Sequence, residues 1–214
     1  MLCLNPLRTG KAMPRRRLLD RFPALDPANV NASELAAIVF EEGASVDHLI
    51  AFFADELQTA GRRIGGIVHL PNDEEPPSRD VTVVDLVAGD HWLESRASID
   101  PVVPVMTTRR ILAVIEARAD LAIIPRFGAA EIVGGGHADA FGTVAAFGLP
   151  ILTAVRREDV EAWLRFTGGI GTLLACRLRV VRAWWQETDD RRQKILARAA
   201  EESSNVVPLL PTFG

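Results

Sequence analysis

Lysine is almost missing from this chain. Lys11 and Lys194 are the only two, and arginine carries the rest of the positive charge. With none between them, neither a Schiff-base lysine nor a phosphate-loop lysine is available there. Cysteine is nearly as scarce: Cys3 falls in a terminal stretch and Cys176 in what reads as a helical pattern. Two such residues make no disulfide framework and no zinc site, so a reducing cytoplasm is the expected location. No apolar stretch reaches the length of a membrane span, and the start MLCLNPLRTGKAMPRRR has no signal-type apolar core. The net charge of −4 lacks the basic excess of a general nucleic-acid binder, so neither nucleic acid nor membrane is an expected partner. What is present is 214 residues with 48% apolar content, enough for one sizeable core.

Residues 1–33 read as a flexible extension with several prolines, the run Arg15-Arg16-Arg17 and no sustained periodicity. Residues 203–214 read as a second tail, which leaves 34–202 as the domain. Inside it, apolar strand patterns alternate with helical ones. Leu35–Phe40 is a strand, and Val46 to Ala60 a helix stopped by Gly61. Ile64–Leu70 is a second strand with the loop Pro71–Ser78 behind it, and Val81–Leu86 a third. Thr107–Ala119 is a helix, Leu121–Ile124 a strand, His137–Phe147 a helix and Leu149–Val155 a strand. From Glu158 the pattern is helical through Trp163, Trp184 and Trp185. This order predicts a single three-layer α/β domain with a mostly parallel sheet.

The stretch Asp120 to Gly136, DLAIIPRFGAAEIVGGG, marks the site. A buried strand is stopped by Pro125, and Gly134, Gly135 and Gly136 precede a helical pattern. Parallel α/β sheets build sites at the carboxyl ends of their strands, where glycine turns let N–H groups approach a ligand and helix starts favour an anion. Arg126 and Glu131 admit two readings. In one, Arg126 and the loop amides hold a small anion, with Glu131 as base or metal contact. In the other, the two pair with each other and brace the loop.

With these residues placed, the chain resembles a bacterial family catalogued only as a domain of unknown function, often encoded near molybdate-transport genes. The resemblance runs from about Leu35 to Trp185. It rests on LAAIVF with VDHLIAFFADEL, RRIGGIVHL, VVDLVAG, DLAIIPRFGAAEIVGGG, and LPILTAV with EAWLRFTGG. That family is distantly similar to small P-loop nucleoside triphosphatases, which implies a P-loop-like architecture. The resemblance points to Arg126, Phe127, Gly128 and Glu131 as recurring residues. This chain departs from the family at His69, where Gln is usual. It departs again at Ser98-Ile99-Asp100, where a Cys-containing turn is usual, and at Pro125 and Ala129, where Asn and Lys are usual.

A phosphate loop needs G-x-x-x-x-G-K-[ST]. After the first strand stands Glu41-Glu42-Gly43-Ala44-Ser45, with one glycine, no lysine and two carboxylates. Like charges ~4 Å apart repel by roughly 4 kcal/mol at an effective dielectric near 20. Ordinary triphosphate binding and hydrolysis are therefore not expected, and a degenerate phosphate loop is. Arg79, at the mouth of the Asp85-Leu86-Val87-Ala88-Gly89 hairpin, and His69, ending a strand, complete the candidate ligand set. That set is Arg126, Glu131, Gly134, Gly135, Gly136, His69 and Arg79. Asp85 reads as a turn former that binds its own backbone. The four histidines lack metal-binding spacing, so no metal is expected. The adjacent Trp184 and Trp185 cannot both face one core direction, which admits a homodimer through the C-terminal helices. Two functions follow. One, implied by the resemblance and its gene context, is a degenerate nucleotide-hydrolase relative serving as a binding or regulatory protein linked to molybdenum or another oxyanion. The other is an enzyme for a small anionic or phosphorylated substrate at Pro125–Gly136.

Overall fold

A computed structural model describes residues 34–42, 44–71, 80–95 and 102–204. The elements are β1 (Leu35–Phe40), α1 (Val46–Thr59), β2 (Ile64–Pro71), β3 (Asp80–Asp85), β4 (His91–Ser95) and α2 (Val102–Glu116). They continue with β5 (Leu121–Ile123), α3 (Ala129–Ile132), α4 (Ala138–Ala146), β6 (Ile151–Arg156), α5 (Val160–Phe166), β7 (Thr172–Ala175) and α6 (Leu178–Ser204). One seven-stranded sheet has the order β4-β3-β2-β5-β6-β1-β7. β1, β2, β5, β6 and β7 are parallel, while β3 and β4 add an antiparallel flank to β2.

Two-residue periodicity explains why both faces are covered. On β1, Ala36, Ile38 and Phe40 join a core built from α1 and α6, while Ala37 and Val39 join one built from α2, α4 and α5. A strand buried on both faces has no polar side to show, which is why LAAIVF reads as a continuous apolar run. The second core centres on the edge-to-face rings of Phe127, Phe141 and Trp163, with centroids 5.1–6.4 Å apart.

The structure corrects four expectations. The helical reading from Glu158 onward is interrupted by β7, because Gly168, Gly169 and Gly171 stop α5 and the apolar Leu173 and Leu174 pair with β1. Cys176 therefore lies in the turn between β7 and α6, not in a helix. Trp184 and Trp185 are 0% and 6% exposed and both pack in the α1–α6 core, so the two adjacent rings do share one core direction. α2 also starts earlier than expected, since Pro104 falls in its first turn, where its missing N–H costs nothing. Arg79, the Pro71–Ser78 loop from residue 72 on, Gly43 and the Ser98-Ile99-Asp100 turn lie outside the described residues, as do residues 1–33 and 205–214.

Gly66 fixes the junction of β2 with β5. Its φ is +103°, and a Cβ there would sit 1.9 Å from the Ile123 carbonyl oxygen. Only glycine fits that position.

Candidate functional site

Parallel pairing brings the ends of β1, β5, β6 and β7 to one edge of the sheet, with the far end of β2 alongside. After β5 the chain stays extended next to β6. Phe127 bridges Val155, its N–H donates to the Ala154 carbonyl at 2.9 Å, and the Thr153 hydroxyl donates to the Pro125 carbonyl at 3.0 Å. Successive side chains of an extended segment point to opposite faces. Phe127 enters the aromatic core, so Arg126 is turned toward the start of α1.

There Arg126 meets Asp47, on the first turn of α1. Its Nε donates to Asp47 Oδ1 at 2.8 Å and its second nitrogen to Oδ2 at 2.5 Å, a bidentate fork. The guanidinium also lies 4.6 Å from the Phe40 ring centroid, a cation–π contact. Asp47 is only 5% exposed. A carboxylate at a helix N-terminus is favoured by the helix dipole, and Arg126 neutralises it out of water. Arg126 and Glu131 are thus not a pair, which corrects that reading. Sequence order made Glu131 the nearby acid, but the turn after Pro125 carries Arg126 to the opposite face.

Glu131 serves the glycine turn instead. Its Oε2 accepts the Gly128 N–H at 2.9 Å and its Oε1 accepts the His137 N–H at 3.0 Å. Gly136, at φ +56°, leaves room for this: a Cβ there would lie 2.1 Å from Glu131 Oε1. The anion seated in the glycine turn is the protein's own side chain. Each oxygen thus takes one backbone N–H, and the group is 6% exposed.

Two groups beside these braces titrate abnormally. His137 shares a 3.0 Å hydrogen bond between its Nδ1 and the Thr108 hydroxyl. Burial pushes its imidazole below the ordinary value, partly opposed by the Glu131 charge. Burial likewise pushes the Cys176 thiol up, and the charge of Arg126 opposes it. The first loop is tied down as well, with Glu41 paired to Arg157 at 2.7 Å.

Not every expected site residue converges. His69 stands on β2 opposite Val83, separated from β1 by β5 and β6. Asp85 is the turn former expected, its Oδ1 accepting the Val87 and Ala88 N–H groups at 2.9 and 3.2 Å. Its other oxygen takes Arg110 at 3.0 Å. Among the described residues no cluster of three or more His, Cys, Asp or Glu side chains is placed to hold a metal ion, and no helix is long and apolar enough to cross a membrane. Asp47 was missed, although its signal was in the sequence. With Ile50, Ala54 and Leu57 it falls at i, i+3, i+7 and i+10, an acid on an apolar stripe, which demands a buried cation.

Comparison with known proteins matches residues 35–184 to the profile of a family described as "Protein of unknown function (DUF2478)". The chain is 34% identical over 180 residues to "Molybdenum import ATP-binding protein ModC 2" of Bradyrhizobium diazoefficiens. That match takes in 80% of this chain and only 20% of the longer protein. It also overlaps the solution structure of a human cancer-related nucleoside triphosphatase, at 13% identity and a TM-score of 0.46. That overlap covers 77% of this chain and 95% of the human one.

Proposed function

Since the chain belongs to the DUF2478 family, we propose that it is a binding or regulatory module of molybdenum import, on a nucleotide-hydrolase-like scaffold with a degenerate phosphate loop. It does not perform ordinary nucleoside triphosphate hydrolysis. The observation that carries this reading is the Asp47–Arg126 fork. A phosphate-loop protein leaves the first turn of its first helix open for phosphate oxygens and supplies a lysine to them. Here a buried carboxylate stands on that turn and consumes the nearby cation. The glycine turn is filled in the same way by Glu131. A triphosphate would meet both carboxylates in addition to Glu41 and Glu42. The molybdenum link draws on the relative whose name records molybdenum import, of which this chain corresponds to a fifth.

A small tetrahedral oxyanion can enter by one route, taking the place of Asp47 on Arg126. Arg126 is the group that holds it, and Asp47 is the internal competitor. Thermal shift with ATP, GTP, molybdate and sulfate tests this. A ligand at ~100 times its dissociation constant adds roughly 2.7 kcal/mol, a shift of a few degrees. ATP and GTP with magnesium should leave the melting temperature unchanged and release no phosphate. Molybdate should raise it, more strongly in Asp47→Asn, where the competitor is gone, and not at all in Arg126→Ala. Magnesium-dependent phosphate release that disappears in Asp47→Asn would overturn the reading.

A further inference from the structure

Strand β4 ends the sheet. Among the described residues it has β3 on one side and no strand on the other. Its register against β3 is regular from Asp80↔Ser95 to Val84↔His91, without a bulge. HWLES also holds no proline, lysine or glycine, the residues that keep a further strand away from an edge. The hairpin shows which backbone groups face outward. The Asp85 N–H donates to the Asp90 carbonyl at 2.9 Å, so the ladder starts on a hydrogen-bonded pair. Antiparallel pairs alternate from there. Trp92 and Glu94 turn their backbone N–H and C=O toward β3, while His91, Leu93 and Ser95 turn theirs away from it. The side chains divide as well. Leu93, at the centre of the strand, is 66% exposed. Trp92 and Glu94 lie on the other face, opposite Val83 and Val81 of the second core. Glu94 Oε2 is shut off from water with no hydrogen-bond partner among the described residues. Burial pushes this carboxyl up, partly opposed by a hydrogen bond with Trp92.

We infer that β4 is a dimer edge, on which a second copy of this chain lays its own β4 antiparallel, with Leu93 opposite the partner's Leu93. In that register the outward groups match: the two Leu93 residues exchange N–H and C=O, and His91 does so with the partner's Ser95. Leu93 then packs on its own twin. Glu94 decides between a second copy and a foreign strand. A foreign strand would bury the orphaned carboxylate oxygen deeper without answering it, which is costly. A second copy answers it. The partner's Trp92 falls directly opposite Glu94, in a non-hydrogen-bonded pair, whose side chains approach most closely. The partner's Arg110 comes with that ring, since the guanidinium lies 4.9 Å from the Trp92 centroid in each copy.

Sedimentation of the full chain tests the inference. With rising concentration the wild type should pass from the 23.3 kDa of one copy to twice that mass. Leu93→Lys sets like charges opposite each other at the centre of the pair. Because the side chain faces solvent, this variant should keep its far-ultraviolet circular dichroism and stay at the single-copy mass. Glu94→Gln should weaken association at least about tenfold. Amide exchange reads the register: the Leu93 N–H should be protected at high concentration and lose that protection on dilution. Leu93→Cys, in a chain carrying C3S/C176S, should form a disulfide between copies on oxidation far faster than Val133→Cys, at an 82% exposed position, in the same background. A wild type that keeps the single-copy mass throughout would overturn the proposal, as would a dimer that survives Leu93→Lys. A Leu93 N–H protected equally at every dilution would also overturn it, since the chain itself would then cover the edge. Association unchanged in Glu94→Gln would overturn the role given to that carboxylate.

Discussion

At the scale of single residues, Arg126 and Asp47 divide one role between them, and their variants should not behave alike. Arg126→Ala leaves a buried carboxylate without its cation. Removal of one partner from a buried pair costs about 3–5 kcal/mol, and the lower figure suits an arginine that is partly exposed. Asp47→Asn keeps the shape and removes the charge, so it should cost less, about 1–2 kcal/mol. Urea denaturation of the two single variants and the double variant checks this, and the double should be no less stable than Arg126→Ala alone. His137 gives a pH-dependent expectation whose sign follows from burial. Its folded value lies below the unfolded one near 6.5, so in that interval the unfolded chain binds the extra proton. Stability from this group is therefore complete above about pH 6.5 and is lost as pH falls through the interval. Between about pH 7.5 and pH 5.5 the urea midpoint of His137→Gln should drop less than that of the wild type. An equal drop in both would remove His137 from the account. Much of this chemistry was readable only in part. The glycine turn, Arg126 and Glu131 were all located from DLAIIPRFGAAEIVGGG, but their partners were not. The acid that answers Arg126 is 79 positions away, and local spacing gave Glu131 a cation that the fold sends to the other face.

Among the elements, legibility followed burial. β1, β2, β5 and β6 are apolar runs with glycine or proline within a few residues of one end, and α1 carries one clear stripe, so each was legible within a residue or two. β4 was not, because HWLES on a sheet edge lacks an apolar alternation. β7 was not, because TLLA is short and runs into CRLRVV, which continues a helical period. The two tryptophans looked incompatible on one helix face only because the width of the groove between α1 and the sheet is invisible in sequence. At this scale Gly66 is the most constrained position. Gly66→Ala would drive a methyl group into the Ile123 carbonyl at a φ that L-residues avoid. The expected loss exceeds about 4 kcal/mol, seen as failure to give a cooperative thermal transition. Gly136→Ala should be milder, about 1–3 kcal/mol, because a side chain, the carboxylate of Glu131, can retreat where a backbone cannot.

For the molecule as a whole, the sheet order has a kinetic meaning. β1 is the first strand among the described residues, yet its two neighbours are β6 and β7, the last two of them. A ribosome releases β1 more than a hundred residues before either neighbour exists, so the strand with the most continuous apolar run waits longest for company. Parallel pairing across such separations closes large loops before any contact rewards it, which slows folding. During that wait LAAIVF is an exposed apolar strand, the sort of segment that chaperones shield and that aggregates when they do not. A chain stopped before Thr172 should stay unfolded, with the same far-ultraviolet signal loss as a chain stopped before Ile151. Both partners of the first-made strand are present only once β7 is complete.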